Sequence, residues 1–555
     1  MNSTRVLGGL CLLLCSAACG GRPAGWDTAY DPKMKEQKDV VAGDPTGDLQ
    51  VRGLTGSVAL LDPNRNEVMM LTSPERFALA NTRLPVGQDV LQFKTSVDRD
   101  KLFVLSRGVK ERFTEGDEAP QLRIFDGGTK PRQLSQFELQ DPYNELEVDP
   151  FGEWLVVRGS EGLVSNPNEL VLVKVPHGGT GEKPFLKTKT LDSSGGKPTS
   201  LRFTSQLAIP GNTARRLLIV EREHDLAVID LNDLDAPEIT VGMPMLPGGD
   251  LARPVDVSFH DAIPDEVNPL LAVRLDGYSN VMLLSVNQST SADHAFSLDA
   301  NEVDVGGAPS QLDFVQTRAD GGLRLAALVP GKQEAKLIDP ASGALQTVSL
   351  GAPFSQIRRI TGEVSDGPGQ DIALLYGDTT HTIAFWRLGA TTGTPYRSID
   401  LYQLGINVAQ VLDIPTSASQ QFADRKILSG ASTGMGQQFY VLDLADRKSF
   451  PLDALKNLTL NLSPTGTQLW AFSDNDGFAQ LTFDQLRPAS LYAQASIAFV
   501  HDIATLQGSD ERSAIALHIL PSQSHSSVAA TLYDGLEPST AQTKFFANIE
   551  LMGIH

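Results

Sequence analysis

A strand-turn unit repeated nearly from end to end is the feature that most constrains this chain. Its clearest copy is Leu217–Leu231, LLIVEREHDLAVIDL, in which two strand-like runs flank a short polar break and a turn starts at an Asp. Ten similar apolar runs recur about 52 residues apart on average. Self-similarity at such a period indicates a propeller or an array of repeats. The runs end at Asp62, Asp126, Lys174, Asp230, Ser285, Asp339, Arg387, Asp443, Asp484 and Asp534.

Two kinds of turn accompany these runs. Most runs end in Asp, which at the first position of a type I turn accepts hydrogen bonds from the following backbone and is often followed by Pro, as in Asp339-Pro340. These aspartates are therefore predicted to be turn residues rather than catalytic ones. A second polar turn precedes a strand one step earlier in the unit. It occurs at Ser96–Leu105, Asp149–Val157, Ala319–Leu328 and Ser463–Phe472.

Together the two turns resemble the WD40-like and YVTN-type propeller repeats, over roughly residues 49–552. The resemblance implies an all-β fold. Because propellers commonly have four to eight blades, we expect a single large β-propeller of about eight four-stranded blades (range 7–10), with two smaller propellers in tandem as the alternative. The first copy shows no innermost strand, and the C-terminal run FFANIELMG is expected to close the ring beside the N-terminal strands.

The start of the chain has the pattern of an export signal. The apolar run VLGGLCLLLC is followed by small residues before Cys19, and it is too short to span a bilayer. Ser16-Ala17-Ala18-Cys19 resembles the bacterial lipobox, although that pattern prefers Leu where Ser16 stands. The resemblance implies cleavage after Ala18 and acylation of Cys19, and Gly20 next to it implies the outer membrane. A plain secretory signal is the alternative.

These observations predict three segments: a lipoprotein signal peptide at 1–18, a flexible tether at 19–48 and the β-propeller at 49–555. All three cysteines lie in the first 19 residues, so the body can form neither a disulfide nor a zinc-thiolate site. The net charge of −21 argues against nucleic acid or an anionic membrane surface as a partner.

Two short stretches are weak candidates for a metal site. Asp474-Asn475-Asp476-Gly477 has the oxygen density of a calcium loop but lacks the remaining ligands, so a tight turn is the alternative. Glu221, Glu223 and His224 lie together in the break of the clearest repeat, where they could bind a cation at the channel mouth or form a solvated turn. Calcium is therefore the one cofactor considered, and no metal site is assigned.

No catalytic residue is predicted. Gly430–Gly434, GASTG, matches the G-x-S-x-G pattern of serine hydrolases, but that pattern requires a following helix. Here the strand-like QQFYVLDL follows. A Gly-rich loop between two strands is the better interpretation.

The sequence favours an outer-membrane lipoprotein whose propeller is a non-enzymatic binding or scaffold module for an envelope protein. One alternative is a propeller hydrolase or lactonase with a metal in the channel, since calcium-dependent lactonases are propellers of broadly similar type. A small-ligand or carbohydrate receptor is the other. A scaffold predicts an exposed apolar patch, and a receptor predicts aromatic side chains lining a pocket. Binding residues are expected on four polar insertions, at Lys110–Pro120, Pro176–Lys187, Gly362–Gln370 and Pro415–Arg425.

Overall fold

The structure of the protein is a computed structural model. It describes residues 50–546 except for 64, 76–77, 110–116, 160–163, 176–184, 210–212, 261–267, 292, 317–321, 361–371, 389–397, 414–424, 433–435, 445–447, 452–458, 463–467, 474–476, 483–487, 493–499, 506–512, 521–526 and 535–541. These residues form forty β-strands in ten four-stranded sheets, and all neighbouring strands are antiparallel. The described part contains no α-helix.

Each sheet consists of four strands that are consecutive in the chain. The strands of the first five sheets are β1 (Val51–Gly53), β2 (Ser57–Asp62), β3 (Glu67–Glu75), β4 (Ala78–Pro85), β5 (Val90–Thr95), β6 (Lys101–Ser106), β7 (Gln121–Asp126), β8 (Gln133–Glu138), β9 (Glu145–Val148), β10 (Trp154–Arg158), β11 (Glu169–Lys174), β12 (Phe185–Thr190), β13 (Pro198–Leu207), β14 (Arg215–Arg222), β15 (Asp225–Asp230), β16 (Ile239–Gly242), β17 (Pro254–His260), β18 (Leu270–Leu275), β19 (Asn280–Gln288) and β20 (Phe296–Asp304).

Those of the other five are β21 (Gln311–Gln316), β22 (Leu323–Val329), β23 (Glu334–Ile338), β24 (Leu345–Ser349), β25 (Gln356–Ile360), β26 (Ile372–Tyr376), β27 (Thr382–Arg387), β28 (Ser398–Gln403), β29 (Asn407–Asp413), β30 (Arg425–Ser432), β31 (Gly436–Asp443), β32 (Lys448–Pro451), β33 (Thr459–Leu462), β34 (Gln468–Ser473), β35 (Gly477–Thr482), β36 (Pro488–Tyr492), β37 (Val500–Thr505), β38 (Ser513–Leu520), β39 (Ser527–Asp534) and β40 (Gln542–Phe546). Two 3₁₀ turns occur, at Ser193–Gly195 and Pro330–Lys332.

We number the sheets as blades 1 to 10 and call the strands of each blade A to D in chain order. The A strands lie innermost, since β17 contacts β21 and β21 contacts β25 across successive blades. The D strands face outwards, and four of the five side chains of β24 are exposed. Because the strands alternate in direction, all A–B and C–D turns lie at one end of the ring, which we call the A–B end.

The ring closes between the first and last blades, because β1 lies against β37. The propeller is therefore one ring and not two in tandem, and its ten blades in the described residues are at the top of the expected range. One detail of the expectation is wrong, because the first blade does have an innermost strand, the three-residue β1. Of the C-terminal run FFANIELMG, Phe545 and Phe546 belong to β40, which pairs with β39 in blade 10, and the remaining positions lie outside the described residues.

The ten sequence runs mark the ten blades one for one. Nine of them coincide with the C strands, and the run ending at Asp62 is the B strand of blade 1. The second turn type is the A–B turn, for example between β9 and β10. The count of ten runs therefore matches the number of blades in the described residues better than the common propeller size of four to eight does.

The core lies between the blades. Seven described clusters of buried apolar side chains each fill the seam between two neighbouring blades, from the seam of blades 1 and 2 to that of blades 7 and 8. A central strand is covered on both faces, and every residue of β15 is buried. One sheet cannot bury both of its faces alone, so the stability of each blade depends on its neighbours.

The A strands are sheet edges, and an edge leaves backbone carbonyls unpaired. Side chains of the adjacent blade satisfy several of these carbonyls around the channel. The acceptor carbonyls are those of Phe93 (from Arg52, 3.0 Å), Leu146 (from Lys94, 2.5 Å), Pro198 (from Arg158, 2.8 Å) and Leu312 (from Ser258, 2.8 Å). These hydrogen bonds hold neighbouring blades in a fixed relation at the inner rim.

A candidate binding groove between blades 3 and 4

The A–B turn of blade 3 is organised by one buried carboxylate. Asp149 is fully buried, and its side chain accepts hydrogen bonds from the backbone N–H groups of Phe151 (3.0 Å), Glu153 (3.1 Å) and Trp154 (3.2 Å). Gly152 has a φ of +78°, a conformation that Gly adopts without strain. The polar turn predicted at Asp149–Val157 is thus confirmed, and Asp149 fixes the start of β10.

Asp149 also joins blade 3 to blade 4. Arg216, near the start of β14, places one guanidinium nitrogen 2.6 Å from Oδ1 of Asp149 and another 2.8 Å from Oε2 of Glu153. The guanidinium carbon lies 4.7 Å from the ring centre of Phe151, on the opposite side of the seam. Arg216 is almost completely buried. A charge-assisted, geometrically fixed contact of this kind specifies how the two blades dock.

A second set of contacts crosses the same seam further out. Strand alternation puts Phe185, Lys187 and Lys189 of β12 on one face. Nζ of Lys189 donates to the carbonyl of Ala236 at 2.6 Å, and burial lowers the pKa of this ammonium group. Lys187 forms an ion pair with Asp235 in the C–D turn of blade 4. The outer strand of blade 3 is therefore tied to a turn of blade 4.

Between these contacts the seam opens into a groove of about 370 Å³ at the A–B end. Its apolar part comprises the largely buried Trp154, Leu231 and Leu234, and the ring of Phe185, which is 50% exposed. Its charged lining comprises Lys174, Lys187 and Arg216 against Glu153, Asp233 and Asp235. In a chain that is strongly acidic overall, the groove carries equal numbers of both signs.

The predicted cluster at the break of the fourth blade divides between two environments. Glu221 lies on β14 with only 2% of its surface exposed, 3.5 Å from Nε of Arg202, and burial raises the pKa of its carboxyl. Asp256 lies on the other side of Arg202, 2.8 Å from its guanidinium. Glu221 is thus part of a charged cluster at the seam of blades 4 and 5.

Glu223 and His224 lie instead in the B–C turn between β14 and β15, where both are exposed. The backbone N–H of His224 donates to the carbonyl of Gly195 at 3.0 Å. Arg222, between Glu221 and this turn, points to a different partner and binds Asp225 at 2.7 Å. The structure therefore does not gather Glu221, Glu223 and His224 into one site.

The other predicted site residues fall outside the described residues. These are Ala18, Cys19, Asp474 and Asp476. Within the described residues, no group of three or more His, Cys, Asp or Glu side chains has the arrangement of a metal site. A search of the same residues finds no helix that is long and apolar enough to cross a bilayer. The calcium loop and the lipid anchor stay predictions.

The first three residues of the G-x-S-x-G pattern belong to a strand, and Thr433 and Gly434 lie outside the described residues. Gly430, Ala431 and Ser432 belong to β30, and Ser432 pairs with Gly436 at the start of β31. A strand follows, as the sequence indicated, and not the helix that a serine nucleophile of this type requires.

Sequence reasoning found part of the groove and missed the rest. The insertion Pro176–Lys187 was expected to carry binding residues, and its last three positions form the start of β12, including Phe185 and Lys187. The opposite wall, from Arg216 to Asp235, carries no sequence signal of a site. The pattern FLKTKT, with an aromatic and two lysines on one face of an outer strand, was the available clue.

Comparisons with known proteins add little to this description. No protein-family model and no curated protein matches the chain. Among solved structures, it is similar to a dihydro-heme d1 dehydrogenase, NirN, in complex with DHE, with 12% identity over 91% of this chain and 74% of that one and a TM-score of 0.31. A second is BBS1N in complex with ARL6DN, soaked with lead, with 9% identity over 65% of this chain and 89% of that one and a TM-score of 0.31. The class of this protein is therefore defined by its own fold, a ten-bladed all-β propeller in the described residues.

Proposed function

We propose that this protein is an outer-membrane lipoprotein, held by acylated Cys19, whose propeller binds another envelope protein through its A–B end. The binding role is non-enzymatic, and the tether at 19–48 gives the propeller reach from the membrane surface.

The distribution of exposed apolar side chains supports this role. Seven large apolar side chains are conspicuously exposed in the described residues, and four of them lie at the A–B end: Val97, Phe151, Phe185 and Leu345. Val97 and Phe151 are on the A–B turns of adjacent blades. Apolar groups gathered at one end of a soluble fold are typical of an interaction surface, and aromatic residues are enriched in such surfaces.

A crosslinked pull-down of the tagged, full-length protein from solubilised envelopes tests the proposal. Mass spectrometry should identify a stoichiometric envelope protein with the wild type. The double variant Val97→Ser/Phe151→Ser should recover it at less than a tenth of the wild-type yield. Leu401→Ser is the matched control, because Leu401 is 50% exposed but lies on the outer strand of blade 7. Recovery of the protein alone, or equal recovery by all three proteins, would contradict the proposal.

The anchor has a separate test. Cys19→Ser removes the acylated thiol, so the variant should move from the membrane fraction to the soluble fraction. Acyl chains at the N-terminus would account for stable attachment, because two or more chains bind a bilayer far more firmly than one. A Cys19→Ser variant that stays with the membranes would show that the protein is attached in some other way.

A further inference from the structure

We propose that the groove between blades 3 and 4 is a binding site for a neutral saccharide of about two sugar rings. The proposal does not depend on the A–B turn residues Val97 and Phe151, which do not line the groove, although Phe185 belongs both to the groove and to the exposed apolar side chains at the same end.

The first argument is size and access. A volume of about 370 Å³ lies at the lower end of the range of small-molecule sites. The groove is formed by ordered strands and turns of two blades and opens at the A–B end of the ring. It can therefore hold one or two sugar units at the end of a longer chain.

The second argument is charge. The lining contains three positively and three negatively charged residues, so its net charge is zero. Four of the six form ion pairs with each other: Arg216 with Glu153, and Lys187 with Asp235. A charged ligand loses its hydration when it enters the groove, and the groove has no net opposite charge to compensate for that loss. Binding of an anion or a cation is therefore unfavourable. A neutral ligand avoids this cost, and a sugar has no net charge.

The third argument is the combination of an aromatic face with mixed polar groups. A pyranose ring has an apolar C–H face and an edge of hydroxyl groups, each of which both donates and accepts. The half-exposed ring of Phe185 can cover the apolar face. Around it, Lys174 donates, Asp233 accepts, and the side chains of Gln206 and Asn232 can do both.

The fourth argument is preorganisation. Asn232 Oδ1 already accepts the backbone N–H of Arg216 at 2.8 Å, and Asp233 Oδ1 accepts the N–H of Asp235 at 3.2 Å. The Asp149–Arg216 pair fixes the two walls relative to each other. A site whose walls are fixed before binding loses less conformational entropy when the ligand enters.

The test uses the full-length protein in a detergent without a sugar headgroup. Cellobiose, maltose and chitobiose are titrated by calorimetry, with sialyllactose as an anionic comparison. At least one neutral disaccharide should bind with a dissociation constant of about 1 mM or tighter, which corresponds to roughly −4 kcal/mol. Sialyllactose should bind at least tenfold more weakly. The inference is overturned if none of the three binds, or if sialyllactose binds best.

Variants locate the binding. Phe185→Ala should weaken the best disaccharide at least tenfold, and Gln206→Ala should weaken it severalfold. Leu401→Ala, which removes an equally exposed side chain elsewhere, should leave it unchanged. Thermal unfolding of each variant establishes that it is folded. Binding unaltered by Phe185→Ala and Gln206→Ala would place the sugar elsewhere and overturn the assignment. Because Phe185 also belongs to the exposed apolar side chains of the A–B end, Gln206→Ala separates the two proposals: it should weaken sugar binding and leave recovery of the protein partner normal.

Discussion

The seams between blades 3 and 4 and between blades 6 and 7 join similar sheets in different ways. At the first, the buried Arg216 pairs with Asp149, Lys189 donates to a turn carbonyl of the adjacent blade, and a groove stays open. At the second, the fully buried Trp386 and Phe354 fill the seam. Polar contacts there include the neutral hydrogen bond from Ser310 Oγ to the carbonyl of Ser355 at 2.8 Å and one from the guanidinium of Arg359 to the carbonyl of Phe314 at 3.2 Å.

The difference shows how one repeat fold can be both rigid and able to bind. Apolar packing removes surface from water and is strongest where no space remains. Ion pairs with fixed geometry hold two sheets in place without filling the space between them. The groove between blades 3 and 4 is thus found where charged contacts, and not packing alone, position the blades.

The largest effect is expected from Asp149→Ala at the charged seam. The change leaves Arg216 buried without its nearest partner and leaves three backbone N–H groups without their acceptor. We expect a loss of about 4 kcal/mol in the free energy of unfolding, measured by urea denaturation. Asp339→Ala is the matched control, since Asp339 caps a more exposed turn, and should lose about 1 kcal/mol. Equal losses would mean that the pairing with Arg216 adds nothing.

The next effect concerns the apolar seam. Leu375→Ala removes a fully buried side chain from the cluster around Trp386 and should cost about 3 kcal/mol through lost burial and a residual cavity. The urea midpoint reports this loss. The comparison predicts that Leu375→Ala leaves disaccharide binding unchanged, whereas Asp149→Ala weakens it; the same binding loss in both variants would break the comparison.

A third seam sharpens the comparison through pH. At the seam of blades 4 and 5, Oε1 of the buried Glu221 makes no hydrogen bond within the described residues, in contrast to Asp149. Burial raises the pKa of Glu221 above its unfolded value, so its contribution to stability is present at low pH and is lost as the pH rises through the folded pKa. Relative to Glu221→Gln, the wild type should lose stability as the pH rises above 4.5, the ordinary pKa of a Glu carboxyl.

Glu334→Gln should show the opposite dependence of stability on pH. Its hydrogen bond with Lys336 lowers the pKa of Glu334 below the ordinary value of 4.5, so the wild type should lose stability relative to this variant as the pH falls below 4.5 and through the folded pKa. Denaturation curves of both variants at several pH values test the pair of trends. A difference between Glu221→Gln and the wild type that does not vary with pH would show that Glu221 is not desolvated.

The smallest effect is expected from Lys187→Ala. Its partner Asp235 is 93% exposed, and exposed ion pairs contribute roughly 0–1 kcal/mol. The urea midpoint should therefore barely move. A loss comparable with that of Asp149→Ala would mean that the outer contacts, and not the buried pair, hold the charged seam.

The sequence by itself determined the repeat. Each blade places a turn aspartate or its equivalent at a fixed point, and alternating or continuous apolar runs define the strands, because turn chemistry and strand burial are local properties. The all-β propeller fold, the turn role of Asp149 and the hairpin at Gly430 could all be predicted in this way. The number of blades was in the sequence too, as a count of ten runs.

Only the tertiary structure decided which residues meet across the seams. Arg216 lies 67 positions from Asp149, and no local pattern links them. The same holds for Lys187 with Asp235 and for Arg202 with Asp256, which belong to neighbouring blades. Such pairs depend on how two sheets dock, which is set by the shape of whole blade faces. The groove is likewise lined by residues of two blades, so no single repeat encodes it.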